Sequence, residues 1–169
     1  MAPLMTVLVG REDLKNKECP IDETPVRGTG VFMRIIKLSE SFYNKYKELP
    51  EILHKESRPY YCLELRINKT IYAIPLRHNI SHQYAFHTLG KAGIDFSKAV
   101  IINDAKYVSP ESPRIDSREW RVLNSNEDQI IKGFLQYLRL YRKAVKKTGI
   151  PKYDLIRKYS TLQYFEISE

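Results

Sequence analysis

The chain has 169 residues, with 28 Lys+Arg against 20 Asp+Glu and a formal net charge of +8. That length suits one domain with a substantial core, and 43% hydrophobic with 28% charged residues excludes wholesale disorder and collagen-like repeats. No apolar run approaches the ~20 residues that span a bilayer, and only two cysteines, Cys19 and Cys62, are present, too few for a disulfide scaffold or a Cys-rich zinc site.

Residues 1–32 carry four basic and five acidic side chains and are broken up by Pro20, Pro25, Gly28 and Gly30. They read as a poorly ordered or non-native extension ahead of a domain over 33–169. The start MAPLMTVLVGRED lacks the basic and apolar regions of a secretory signal, so a soluble cytoplasmic protein is expected. Met33 opens a strand, MRIIKL, and Ser39 is placed to cap a short helix through Phe42, Tyr43 and Tyr46. Pro50 suits the first turn of another helix, EILHK.

The strongest β signal follows. Tyr61, Leu63, Leu65 and Ile67 alternate with Tyr60, Cys62, Glu64 and Arg66, and Asn68-Lys69 turns the chain into TIYAIPL. Proline cannot donate to a ladder, so the second strand is expected to end, or to lie on an edge, at Pro75. Residues 99–102, AVII, read as a further buried strand, and 103–123 as a long polar loop. Ser125-x-x-Asp128 resembles a capping box opening a helix with Ile130, Ile131, Phe134, Leu138, Tyr141 and Val145 on its buried face. Gly149 and Pro151 end it, residues 151–158 form a short helix, and YSTLQYFEI reads as a returning strand. The fold class is therefore α+β.

Two regions carry candidate chemistry. From Lys132 to Lys158 there are nine Lys/Arg and a single acid, Asp154. Such a run is commonly a solvated helix face, but the near absence of acids favours a surface for a polyanion. The segment RHNISHQYAFH follows the strand TIYAIPL and holds Arg77, His78, Ser81, His82, Tyr84 and His87. His78 and His82 stand four apart, as helical metal ligands do, but no acid lies nearby to complete a site. The histidines could simply pack in a polar loop. Alternatively they serve metal-free RNA cleavage, in which the 2′-OH is the nucleophile, histidine moves protons and arginine stabilises charge on phosphorus. Arg58 opens the preceding strand and is brought near residue 77 by the hairpin. Cys62 reads as core, not as a nucleophile.

The order MRIIKL, SESFYNKY, RPYYCLELRINKTIYAIPL, RHNISHQYAFHT, GIDFSKAVIIND, a long basic helix and YSTLQYF resembles the toxins of type III toxin–antitoxin systems. It looks most like the TenpN branch of the ToxN/AbiQ family, from Met33 to about Phe165, with Arg58–Lys98 the most specific part. The resemblance implies a compact antiparallel, Kid/MazF-like, barrel-like sheet with surrounding helices. It implies an endoribonuclease that needs no metal or other cofactor and leaves a 2′,3′-cyclic phosphate. The expected partners are a repeated pseudoknot RNA antitoxin, which assembles with the toxin into a closed complex, and cellular or phage RNA substrates, in a role in phage defence by abortive infection. Carried over by position, Arg58 matches the basic residue at the first hairpin strand and Ser160 a late serine, whereas Arg77-His78 and Ser81-His82 stand where the family has a hydroxyl pair. The expected assignment is His78 or His82 for proton transfer, Arg58 and Arg77 on the phosphate, and Ser81 and Ser160 in support. Tyr60, Tyr84 and His87 would line the site, with Lys98, Arg139, Arg142, Lys146, Lys147, Lys152 and Lys158 along the RNA. A non-catalytic RNA- or DNA-binding regulator using the basic helix 125–148 is the alternative.

Overall fold

A computed structural model describes residues 32–53 and 60–167; the expected extension over residues 1–32, apart from Phe32, lies outside them, as do His54 and Lys55 of EILHK and Arg58. Strand β1 (Phe32–Lys37) leads through Ser39 into helix α1 (Glu40–Tyr46). The Ser39 hydroxyl accepts from the Phe42 N–H at 3.4 Å, the capping expected of it. Pro50–Ile52 form turns, so the helix expected from Glu51 does not begin there. Strands β2 (Tyr61–Ile67) and β3 (Thr70–Arg77) form the central hairpin. Asn68 takes the positive φ of 54° that its turn demands, which asparagine tolerates better than most residues.

Three short strands complete the sheet: β4 (Ala85–His87), β5 (Gly93–Asp95) and β6 (Val100–Ile102). Every pairing is antiparallel, in the order β1-β2-β3-β5-β4, with β6 also on β3. The six strands do not close into a barrel, so the barrel-like expectation is corrected to an open sheet. The reading of Pro75 is corrected too: β3 runs on to Arg77 at the centre of the sheet. One edge of β3 pairs with β6 over Ile71–Ala73 and with β5 over Leu76–Arg77. Pro75 falls between these partners, where no ladder bond is required of it. Strands β4 and β5 approach so closely at Gly93 that a Cβ there would lie 2.1 Å from the Phe86 carbonyl oxygen.

The expected loop 103–123 ends instead in helix α2 (Ser117–Ser125), capped by Asp116 accepting from the Arg118 N–H at 2.8 Å. Ser125 is its last residue, so it does not cap the long helix. That helix, α3 (Glu127–Lys146), starts at Asn126 without a side-chain cap. Ile130, Phe134, Leu138 and Tyr141 are buried along it as expected, joined by Tyr137 and Ala144, while Val145 is exposed. Gly149 turns the chain with φ 77°, and Pro151 opens α4 (Pro151–Tyr159). Arg157 of α4 donates to the carbonyls of Ala144 and, at 2.9 Å, Lys147, capping the C-terminus of α3. The expected final strand is a 3₁₀ turn, Thr161–Tyr164, tied down by the Thr161 hydroxyl donating to the Ala99 carbonyl.

The sheet is covered on both faces. On one, Leu63, Leu65, Tyr72 and Ile74 pack with Phe134, Leu138 and Leu162. On the other, Ile36, Cys62, Ala73 and Val100 pack with Phe42, Tyr46 and Tyr107. The alternation read in β2 is the alternation between these cores. Glu64, on the supposedly polar side, is 1% exposed and takes both Nε and Nη2 of Arg34 on Oε2, at 3.0 and 2.9 Å.

Candidate functional site

Pairing of β3 with β5 sets Arg77 opposite Gly93 and brings Asp95 to the strand end. Asp95 is completely buried and fully engaged. Its Oδ2 accepts from Arg77 Nη1 and from His82 Nε2 at 3.2 Å, and its Oδ1 from the N–H and hydroxyl of Ser97 at 3.0 and 2.6 Å. Burial pushes its pKa up, but the hydrogen bonds from His82, Ser97 and Arg77 outweigh it and hold the carboxyl below its usual value.

The same arrangement orients His82. The Tyr84 N–H, which can only donate, points at His82 Nδ1 at 3.2 Å, so the ring proton sits on Nε2 toward Asp95. Both ring nitrogens are thus engaged. His78 lies in the exposed bend just after Arg77, with Asn79 at φ 57° beside it. The segment holding His78 and His82 consists of bends, so the two do not form a helical ligand pair. Among the described residues no group of three His, Cys, Asp or Glu could hold a metal ion.

Beside this cluster a cleft of about 470 Å³ separates β4 from α3. Its walls include Tyr84, Phe86, Phe96 and Tyr137, with Gln83, Gln129 and Gln136 offering amides and Lys152 a charge. The Tyr84 ring centroid lies 6.0 Å from that of His82 and 5.6 Å from that of Tyr137, so it links cluster and cleft. Ser160 lies beneath, fully buried: it accepts from the Tyr137 hydroxyl at 2.8 Å and caps the last 3₁₀ turn through the Leu162 N–H at 3.3 Å. Burial raises the Tyr137 pKa, so its hydroxyl stays a donor.

The remaining candidates are dispersed. Ser81 and His87 are exposed, Ser81 in the loop and His87 at the end of β4. Tyr60 lies in a small groove with Tyr43 and Cys62 against α1. Burial pushes the Cys62 thiol up to about 12, in keeping with a core role. Lys98 is held by Glu51 and by the Tyr159 carbonyl at 2.9 Å, with its side chain 13% exposed, so it is a clasp within the fold and not a free cation. Arg139, Lys146, Lys147, Lys152 and Lys158 are exposed and Arg142 is half-buried. Lys158 Nζ rests 5.3 Å from the Tyr159 ring centroid. Reading by residue type passed over Asp95, whose signal is the Asp-x-Ser spacing of a side-chain-stabilised turn, and the three glutamines, which carry no sequence signal.

Fold and site define an α+β protein with an open antiparallel sheet, a buried carboxylate joining arginine and histidine at a strand end, and an aromatic cleft beside a cationic helix. No protein-family model matches the chain, and neither a curated protein nor a solved structure matches it. No helix among the described residues is long and apolar enough to cross a membrane.

Proposed function

We propose that this protein is a metal-independent endoribonuclease, the toxin of a type III toxin–antitoxin system of the ToxN/AbiQ kind, neutralised by a repeated RNA. A Kid/MazF-like relationship of fold, the TenpN affiliation and a part in phage defence belong to the same proposal. The observation that carries it is the Asp95-anchored Arg77 and His82 beside an aromatic cleft along a cationic helix. Arg77, fixed at one nitrogen by Asp95, can turn its remaining N–H groups to a phosphate. His82, with both nitrogens engaged, positions Arg77 and the loop, which leaves the exposed His78 as the proton-transfer group. In the reaction the 2′-OH loses its proton as its oxygen bonds to phosphorus. The P–O5′ bond breaks, and the leaving oxygen takes up a proton.

Purified protein is expected to cut RNA in EDTA and leave 2′,3′-cyclic phosphate ends. His78→Ala should lower the rate about 10²–10⁴-fold with an unchanged melting temperature. A strict requirement for Mg²⁺, or full activity in both His78→Ala and Arg77→Ala, would overturn it. The engagement of both His82 nitrogens favours a second reading, a non-catalytic nucleic-acid-binding regulator using α3. That reading expects salt-dependent binding of RNA or DNA that stays intact.

A further inference from the structure

We infer that the cleft between β4 and α3 reads a single unstacked base of a nucleic-acid strand, whose phosphates continue along α3 toward α4. At 100° per residue, Gln129, Gly133, Gln136, Leu140 and Lys143 fall within about 80° of arc on α3, and Lys147 follows directly as its C-cap. The first four line the cleft, Lys143 extends the same face beyond it, and Lys147 adds a second exposed cation at the helix end. The face thus changes along its length from amide and small side chains to cationic ones. Lys152, from α4, borders the cleft.

The chemistry of each part fits a nucleotide. Tyr84, Phe86 and Phe96 offer aromatic surface on which a base can stack. A carboxamide presents one acceptor and two donors, the complement of a base edge, and the cleft has three. Gly133 keeps the floor open: a Cβ there would already stand 3.1 Å from the Phe96 ring. A volume of about 470 Å³ accepts a base with its sugar and excludes a duplex. From Gln136 to its end at Lys146 the helix runs about 15 Å, longer than one phosphate needs, so a strand suits the face better than a free nucleotide. The inference rests on the RNA proposal only for the sugar, and it requires no cleavage.

The test is fluorescence anisotropy of the full-length chain with short 2′-O-methyl homo-oligomers of U, C, A and G, which cannot be cut through the 2′ position. One base should be preferred at least about fivefold. The double variant Gln129→Leu/Gln136→Leu, at two exposed positions, should bring the four affinities within about twofold of one another. The variant Lys143→Gln/Lys147→Gln should weaken all four alike and lower the salt slope by about 1.4. The inference is overturned if an abasic oligomer binds as tightly as its parent. It is equally overturned if the glutamine variant keeps the preference with an unchanged melting temperature, or if a nucleoside monophosphate binds as tightly as the oligomer. Base preference without cleavage in EDTA would sink the nuclease proposal and leave this one standing, and cleavage without base preference would do the reverse.

Discussion

Asp95 has no exposed surface, yet its carboxyl is held below its usual pKa because three side chains and a backbone N–H point at it. Its native value is therefore lower than the ~3.9 expected unfolded. The stabilisation it brings is complete above that unfolded value and is lost as pH falls through the depressed native one. Urea titrations of Asp95→Ala should show a loss of about 3–5 kcal/mol at pH 7, since Arg77 and His82 are left without their shared acceptor. The gap between wild type and Asp95→Ala should narrow below about pH 4. A gap that is independent of pH would show that the ionised carboxylate is not the stabilising species. His82, singled out as a titratable group at a strand end, turns out to be half of this buried network. Its residue type was legible in the sequence; the partner that occupies its ring was not, because Asp95 reaches it through the pairing of β3 with β5.

At the scale of elements, the join between α3 and α4 depends on one side chain. Arg157 closes the exposed carbonyls at the end of α3 and also pairs with Asp154 one turn back. Arg157→Ala should destabilise the protein by about 1–2 kcal/mol, read as a lower urea midpoint, whereas its exposed neighbour Lys158→Ala should change stability by less than about 0.5 kcal/mol. Equal effects would mean that the cap contributes nothing. Elements with a strong local pattern were legible: the β2–β3 hairpin, the capped α1 and the apolar stripe of α3. Short ones were not. Strands β4 and β5 have three residues each, too few for periodicity to register, and exist because Gly93 allows their close approach. Helix α2 hid behind Pro110 and Pro113, although Asp116 and Glu119 stand at capping spacing.

For the whole molecule, the two cores share one sheet, so they should melt together. The single Trp120 packs against the α3-side core and Phe42 is fully buried in the other. Phe42→Ala should cost about 3–5 kcal/mol. It should lower the unfolding midpoint seen by Trp120 fluorescence as far as that seen by circular dichroism. A Trp120 transition left at the wild-type midpoint would mean that the faces unfold independently.

Local order determines much of this protein before any tertiary contact is known. The charge run over 132–158, the alternation in β2, the Ser39 cap and the Gly149–Pro151 break are all set by residues near one another in the chain. The open edge of the sheet, the reach of β3 past Pro75 and the convergence of Arg77, His82 and Asp95 are decided only by tertiary structure. So is the cleft between β4 and α3. Each depends on residues far apart in sequence meeting across a sheet, and side-chain periodicity shows which face a strand buries without showing which strand lies beside it.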